Sequence, residues 1–278
     1  MLKRSDIKRE AAKIINEELT VDDSLFLYHD LCTNGIGYVD LMFKTDSIAP
    51  EQIPYLGLLK SVLGYVDTEN YTYGELFNEI NANTGGINCG VEVFDRADST
   101  EEFQAMFSVR GKALYTKMDF LFKMIGEILN SSKLEDTKRL YEIVASVKSR
   151  AQVNLTGAGH STAVLRAAAY SSPMAAFQDE MAGIGYYQFI EKLEKDFEQR
   201  KEETVEELCK LMKKILRPEN FMISYTGERE SLETVQKLAG AVKAGLGTEP
   251  VEKSEEKLTC TKKNEGFKTS GQVQYVAQ

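Results

Sequence analysis

A glycine-containing stretch, Gly157-Ala-Gly-His160-Ser161-Thr162, has the composition of a phosphate-binding loop. The dinucleotide fingerprint requires a third glycine or alanine at its sixth position, where Thr162 stands, and it follows a strand, whereas this stretch follows a helical pattern. Two glycines so close together weaken a helix, so Gly159 and His160 are predicted to mark a helix break, with phosphate or substrate binding as the alternative. His160 and Ser161 could act as base and nucleophile, but adjacent residues rarely face one another and no third group orients the histidine.

Metal binding is the second chemistry that the residue types could support, and the sequence argues against it in this chain. Its two histidines, His29 and His160, lie far apart, and neither has a cysteine at zinc-ligand spacing. His29 ends a strand pattern beside Asp30, so we interpret it as a structural histidine. The four cysteines form no C-x-x-C pair, and we expect idle thiols. No pair of carboxylates is singled out by spacing for acid–base catalysis.

Composition and charge argue against several classes of protein. The chain has 278 residues and a net charge of −9, which disfavours non-specific binding to nucleic acid or to an anionic membrane surface. No apolar run reaches the roughly 18 residues that a membrane-spanning helix needs. The first ten residues lack the apolar core of a signal peptide, so we expect a cytoplasmic protein.

The strongest local signal for a turn is Asn34-Gly35, because a type I′ turn needs positive φ at both central residues. Residues 24–29 before it have a strand pattern, and residues 36–43 after it alternate apolar and polar side chains. The sequence therefore predicts a long hairpin here. Two more alternating stretches, residues 87–93 and 103–109, predict a second hairpin.

Helical periodicity dominates the remainder of the chain. Thr72-Tyr-Gly-Glu75 and Ser132-Lys-Leu-Glu135 have the spacing of capping boxes, and Gly85-Gly86 is predicted to end the helix that Thr72 begins. Residues 114–215 are almost entirely helical in pattern. Together with a short apolar strand near residues 221–226, these elements predict an α+β fold, an antiparallel sheet with helices packed on one face.

Three segments are expected along the chain. Residues 1–20 are charged and helix-prone and are interpreted as a linker or helical segment. Residues 21–247 form the α+β domain. Residues 248–278 are predicted to be a polar linker followed by a strand that starts a further, truncated domain, so we interpret the sequence as a fragment.

Five segments carry a family resemblance in collinear order: His29 to Leu41, Ile53 to Leu63, Asn81 to Gly86, Lys148 to His160, and Ala182 to Tyr186. They resemble the large zinc metallopeptidases of the insulinase (pitrilysin) family, in the branch that includes the mitochondrial presequence protease. Within them, the positions of structural interest are His29, Asn34, Gly35, Gly85, Gly86, Gly159 and His160. The segments are similar to the third of the family's four homologous domains, which is non-catalytic and begins the C-terminal half.

The resemblance implies where the metal belongs. Enzymes of this family hold zinc in their first domain with the motif H-x-x-E-H on a helix plus a downstream glutamate. That motif is absent from this sequence. Aligning the helix of residues 50–63 with the family's catalytic helix puts Leu56, Leu59 and Lys60 where two ligands and the base would stand. The resemblance thus implies zinc in another domain of the parent enzyme, and no catalytic or metal-binding residue in this chain.

The function implied by the resemblance is structural support of proteolysis. Two halves of such an enzyme close like a clamshell around unfolded peptides, and this domain would wall the chamber and supply exosite surface. Its partners would be the catalytic N-terminal half of the same polypeptide and peptide substrates. An alternative is an inactive scaffold or binding subunit of the same fold, never attached to a zinc domain. A weaker alternative, a free-standing hydrolase using His160, would require that His160→Ala abolish activity.

Overall fold

The computed structural model describes residues 3, 13, 16–99, 102–256, 258–269 and 273–278. These residues form one mixed sheet of six strands in the order β1-β2-β6-β3-β5-β4. The strands are β1 (Glu17–Val21), β2 (Ser24–Asp30), β3 (Ile36–Lys44), β4 (Ile87–Asp95), β5 (Phe103–Leu114) and β6 (Phe221–Gly227). All neighbours are antiparallel except β2 and β6, which run parallel. The predicted α+β class is confirmed.

The predicted hairpin at Asn34-Gly35 is wrong in its pairing, although the turn itself has the expected geometry. Asn34 and Gly35 adopt φ of 55° and 80°, as a turn with two left-handed residues requires. However, β2 and β3 do not pair with each other, because β6 lies between them and bonds to both. Local turn chemistry reverses the chain direction but does not fix which strand becomes the neighbour, and a strand from a distant segment occupies the gap.

The second predicted hairpin is confirmed: β4 pairs with β5 from Ile87 opposite Gly111 to Asp95 opposite Phe103. Period-2 alternation then divides the sheet into two faces. Val39, Leu41 and Phe43 of β3 face the helices and join the main core. The opposite face, called the open face below, carries Tyr38, Asp40 and Met42 of β3 and their cross-strand neighbours.

Nine helices lie in the described part of the chain. They are α1 (Ile53–Val62), α2 (Tyr73–Asn83), α3 (Met118–Ser131), α4 (Thr137–Gly157), α5 (Gly159–Ala168), α6 (Pro173–Ala182), α7 (Ile184–Lys195), α8 (Phe197–Ile215) and α9 (Leu232–Ala244). A continuous core of leucine, isoleucine, valine and aromatic side chains joins these helices to one face of the sheet. Burial of this apolar surface is the main stabilising force.

The two predicted capping boxes have different outcomes. At α2, Thr72 Oγ1 accepts the Glu75 amide at 3.3 Å and Glu75 Oε2 accepts the Thr72 amide at 2.9 Å, so this box is confirmed. The box at Ser132 is wrong, because α4 starts later in the chain and Asp136 caps it by accepting the Arg139 amide at 3.0 Å. A cap requires a side chain directly before the first turn, and Asp136 rather than Ser132 holds that place.

The ends of the chain differ from expectation where they are described. Residues 17–20, predicted as part of a linker or helix, belong to β1, which pairs with β2. Most of residues 1–15 lie outside the described residues, and so does the predicted helix there. The strand predicted at the end of the chain is wrong for residues 273–278, which form no strand. No described helix is long and apolar enough to cross a membrane.

Candidate functional site

The glycine-histidine stretch marks a junction between two helices, as predicted. Helix α4 ends at Gly157 and α5 begins at Gly159. A Cβ at Gly159 would lie 2.6 Å from the ring of Tyr275, and the exposed His160 ring stands 6.0 Å from the same ring. The stretch thus lies under the C-terminal segment. Because it follows a helix, it lacks the strand-to-helix geometry that a nucleotide fingerprint requires.

The structure does not assemble metal ligands around the histidines. His29 is half-buried in β2, opposite Thr226 of β6, and His160 lies in the first turn of α5. Among the described residues, no group of three or more histidine, cysteine, aspartate or glutamate side chains could hold a metal ion. Burial raises the pKa of the Cys89 thiol to about 12, so it stays protonated at neutral pH and is a poor ligand or nucleophile.

Two predicted glycines end α2 by close contact with β5. The Gly85 amide donates to the Lys112 carbonyl at 2.7 Å, and a Cβ on Gly85 would lie 2.6 Å from the Lys112 side chain. Gly86 follows with φ of 103°, a conformation that side-chain-bearing residues rarely adopt. This pair therefore turns the chain from α2 into β4.

A carboxylate from the end of β6 fastens the Asn34-Gly35 turn. Glu228 Oε1 accepts the amides of Thr33 at 2.8 Å and Asn34 at 3.0 Å. Its Oε2 accepts the hydroxyls of Thr33 and Tyr115. These bonds join the loop between β2 and β3 to the strand that separates them. The sequence gives no hint of this contact, because 195 residues separate Thr33 from Glu228.

Replacing Glu228 with glutamine should destabilise the protein in a pH-dependent way. Burial raises the Glu228 pKa, but hydrogen bonds from Thr33 and Asn34 outweigh it and leave the pKa below its usual value. A carboxylate with a lowered folded-state pKa contributes stability that is complete above its unfolded pKa, about 4.3, and is lost as the pH falls through the folded value. Denaturation of wild type and Glu228→Gln across this range should show a difference that is constant near neutrality and shrinks in acid. A difference independent of pH would contradict this role.

The open face carries a charged triplet that spans three strands. Arg110 on β5 donates from Nε to Asp40 Oδ2 on β3 at 2.7 Å and pairs through Nη1 with Glu92 Oε1 on β4 at 3.0 Å. Burial raises the pKa of Asp40, while Arg110 lowers it by a smaller amount. Asp40 Oδ1 and the neighbouring Ser108 hydroxyl are buried and have no hydrogen-bond partner in the described part of the chain. Buried polar atoms without partners are unusual and often mark a functional surface.

The edge of the sheet next to this triplet is formed by β4. This nine-residue strand pairs with β5 on one side, and no described strand pairs with its other side. Phe94, near its end, is 47% exposed on the open face. A long edge strand presents a row of amides and carbonyls that an extended peptide can pair with.

A buried carboxylate holds the turn between α6 and α7. Asp179 Oδ1 accepts the Ile184 amide at 3.0 Å, and Oδ2 accepts the Gly185 amide at 3.1 Å and pairs with Arg166 at 2.6 Å. A Cβ on Gly183 would lie 2.8 Å from the Asp179 Cα, so the chain can wrap around this carboxylate only without a side chain there. This explains the glycines of the Ala182-to-Tyr186 segment, whose role sequence reasoning missed.

Helix α1 does not fit a zinc ion at the positions that the resemblance assigns. Leu56 and Leu59 are almost completely buried in the apolar core, and neither can donate a lone pair to a metal. Burial lowers the pKa of Lys60, which remains a cation-forming amine rather than a general-base carboxylate. These residues therefore offer no ligand set, and no catalytic step is assigned to them.

Comparison with known proteins now decides the family. Residues 1–193 match the family model of peptidase M16, subfamily C, associated domains. The chain belongs to this peptidase M16-associated family. It is 35% identical over its full length to "Protein HypA" of Clostridium perfringens, of which it covers 28%. It is 26% identical over 236 residues to "Presequence protease 1, chloroplastic/mitochondrial" of Arabidopsis thaliana, covering 85% of this chain and 22% of that protein. This peptidase M16-associated chain thus spans about a quarter of the length of these relatives.

Solved structures show the same fold. A conserved protein from Enterococcus faecalis V583 superimposes with a TM-score of 0.58 at 12% identity, over 82% of this chain and 52% of that one. A peptidase M16 inactive domain from Pseudomonas fluorescens gives 0.57 at 15% identity, over 88% and 54%. The resemblance to M16 metallopeptidases is confirmed, and the chain is a non-catalytic peptidase M16-associated domain.

Proposed function

We propose that this peptidase M16-associated chain is the non-catalytic wall of a zinc metalloendopeptidase that encloses peptides in a clamshell chamber. Its partner is the catalytic N-terminal half of the same polypeptide, and the zinc belongs to that half. The observation that carries the proposal is the family match combined with relatives about four times longer, among them presequence proteases. The fully buried leucines of α1, at the positions of the zinc ligands, support the same division of labour.

The sheet supplies the surface that such a wall needs. The β4 edge can bond to the main chain of an extended peptide, which gives affinity with little dependence on sequence. The open face beside it offers the Asp40–Arg110–Glu92 triplet and the exposed Phe94 ring. The net charge of −9 favours basic peptides over acidic ones.

The zinc content and activity of the chain alone test the catalytic half of this proposal. We expect no stoichiometric zinc by elemental analysis after dialysis against a zinc-containing buffer, and no cleavage of an unfolded basic reporter peptide. The full-length parent, measured beside it, should hold zinc and cleave the same peptide. Stoichiometric zinc in this chain, or cleavage sensitive to a chelator, would overturn the assignment.

Peptide binding tests the wall role. Phe94→Ala should weaken binding of an unfolded basic peptide by roughly threefold to tenfold in fluorescence anisotropy, since an exposed aromatic contact is removed. Phe77 on α2, which is 57% exposed, is the matched control, and Phe77→Ala should leave binding unchanged. Equal effects of the two substitutions, or no binding by wild type, would contradict the use of this face.

A further inference from the structure

A small cavity between α1 and α4 is lined by polar side chains that the proposed function does not use. Its volume is about 170 Å³, and its lining includes Ser61, Arg139, Glu142, Ser146 and Arg150. The α4 residues recur at helical spacing and therefore share one face of that helix. Ser61 lies in the last turn of α1 and faces them across the cavity.

The two arginines of this cavity differ in their surroundings. Arg139 is fully engaged: it pairs with Glu142 at 2.9 Å, donates to the Tyr65 carbonyl at 2.9 Å, and stacks on the Tyr73 ring at 3.8 Å. Arg150 has no ion pair and no hydrogen bond within the described ranges. Since Glu142 neutralises Arg139, the cavity carries one uncompensated positive charge, in a chain whose net charge is −9.

A buried hydroxyl beneath the cavity also lacks a partner. The Tyr186 ring lies against Gly57 of α1, where a Cβ would stand 2.7 Å from Cε2, and Ser61 follows one helical turn later. Tyr186 is 5% exposed, and its hydroxyl makes no hydrogen bond to any described residue. Burial raises the Tyr186 pKa, while Ser61 and Arg150 lower it by smaller amounts, so both groups are close to the hydroxyl.

We propose that this cavity, called the α1–α4 site, binds a carboxylate through the Arg150 guanidinium, with Ser61 and the Tyr186 hydroxyl as further donors. A guanidinium presents a planar fork that matches the two oxygens of a carboxylate. A single uncompensated charge suits a monoanion better than a phosphate dianion. The volume accommodates a carboxylate with one small residue attached, such as a free acid or the end of a peptide chain. The proposal does not depend on the proteolytic role of the parent enzyme.

Titration of the full chain with four probes tests the α1–α4 site. The probes are acetate, trialanine with a free C-terminus, trialanine amide and inorganic phosphate, and binding is followed by the Arg150 Nε–Hε signal in NMR spectra. We expect acetate and trialanine to shift this signal and the amide to leave it unchanged. Tighter binding of trialanine assigns the site to chain ends, and equal binding assigns it to free carboxylic acids. Phosphate binding as tight as that of the carboxylates, or binding of the amide, would overturn the proposal.

Three variants separate specific binding from general electrostatics. Arg150→Gln should weaken trialanine binding by about tenfold to a hundredfold, the range for a hydrogen bond to a charged group. Here binding is followed by calorimetry because the reporter signal is removed. Lys138→Gln removes the same charge from α4 outside the cavity and should leave the affinity unchanged. Tyr186→Phe should weaken binding by a smaller factor without lowering the melting temperature of the ligand-free chain. Equal losses in Arg150→Gln and Lys138→Gln, or a destabilised ligand-free Tyr186→Phe, would contradict the assignment.

Discussion

Replacing Asp179 with alanine is expected to lower the free energy of unfolding by about 3–5 kcal/mol, because it leaves a buried cation without its partner. The Asp179 side chain is only 2% exposed and that of Arg166 only 14%. Removing the carboxylate also leaves the Ile184 and Gly185 amides without their acceptor at the start of α7. Glu265 pairs with Arg166 at 2.8 Å and keeps part of its charge compensated. Denaturant unfolding of the variant measures the loss.

An exposed pair of the same residue types provides the control. Arg96 and Asp98 pair at 3.0 Å with side chains 58% and 72% exposed, and Asp98→Ala should produce no measurable change. Asp179→Asn retains the shape and one acceptor oxygen but loses the charge, so it should fall between wild type and Asp179→Ala. Loss of stability no greater in Asp179→Ala than in Asp98→Ala would show that this carboxylate does not hold the α6–α7 turn.

The second large effect is expected from Gly57→Ala, which should destabilise the protein by about 2–3 kcal/mol through overpacking of a dense interior. A Cβ here would lie 2.6 Å from the Met181 carbonyl oxygen and 2.7 Å from the Tyr186 ring. Real Cβ contacts are longer, and a carbonyl of the main chain cannot move without shifting α6. Alanine favours a helix over glycine by roughly 0.5–1 kcal/mol, but the steric cost at this position outweighs that gain.

Gly126 in α3 is the matched control, because an added Cβ there meets nothing within 4 Å. Gly126→Ala should therefore raise stability by roughly 0.5–1 kcal/mol through helix propensity alone. Opposite signs for the same substitution at two helical sites would be measured by thermal or denaturant unfolding. Stabilisation by both substitutions would mean that α1 and α6 do not approach as closely as described.

The sequence predicts much of the local structure, because local structure depends on neighbours in the chain. The alternation in β3, the cap at Thr72 and the positive φ of Asn34 and Gly35 follow from short-range rules, and each is found. The neighbour of β3 could not be predicted in the same way. Strand order depends on which distant segment buries the apolar edge best, and the short apolar strand β6 contains no sign that it belongs in the middle of the sheet.

The candidate surfaces were less predictable than the fold for the same physical reason. Asp40 was placed correctly on the polar side of its strand, but its partner Arg110 stands 70 residues away and becomes a neighbour only through the β3–β5 register. Asp179 and Arg166 lie on different helices. The resemblance located the segment from Ala182 to Tyr186 without explaining it, since the reason for its glycines is a carboxylate that only the folded turn reveals.

The central position of β6 has a consequence for the birth of the protein on the ribosome. Both strands that flank β6 are made long before it, so β2 and β3 emerge with a vacant slot between them. Until Phe221–Gly227 arrives, their facing edges offer unpaired amides to any other nascent chain. Sheet closure must then wait for translation of the eight intervening helices, and we expect slow, chaperone-assisted maturation of a kind that local hairpins avoid.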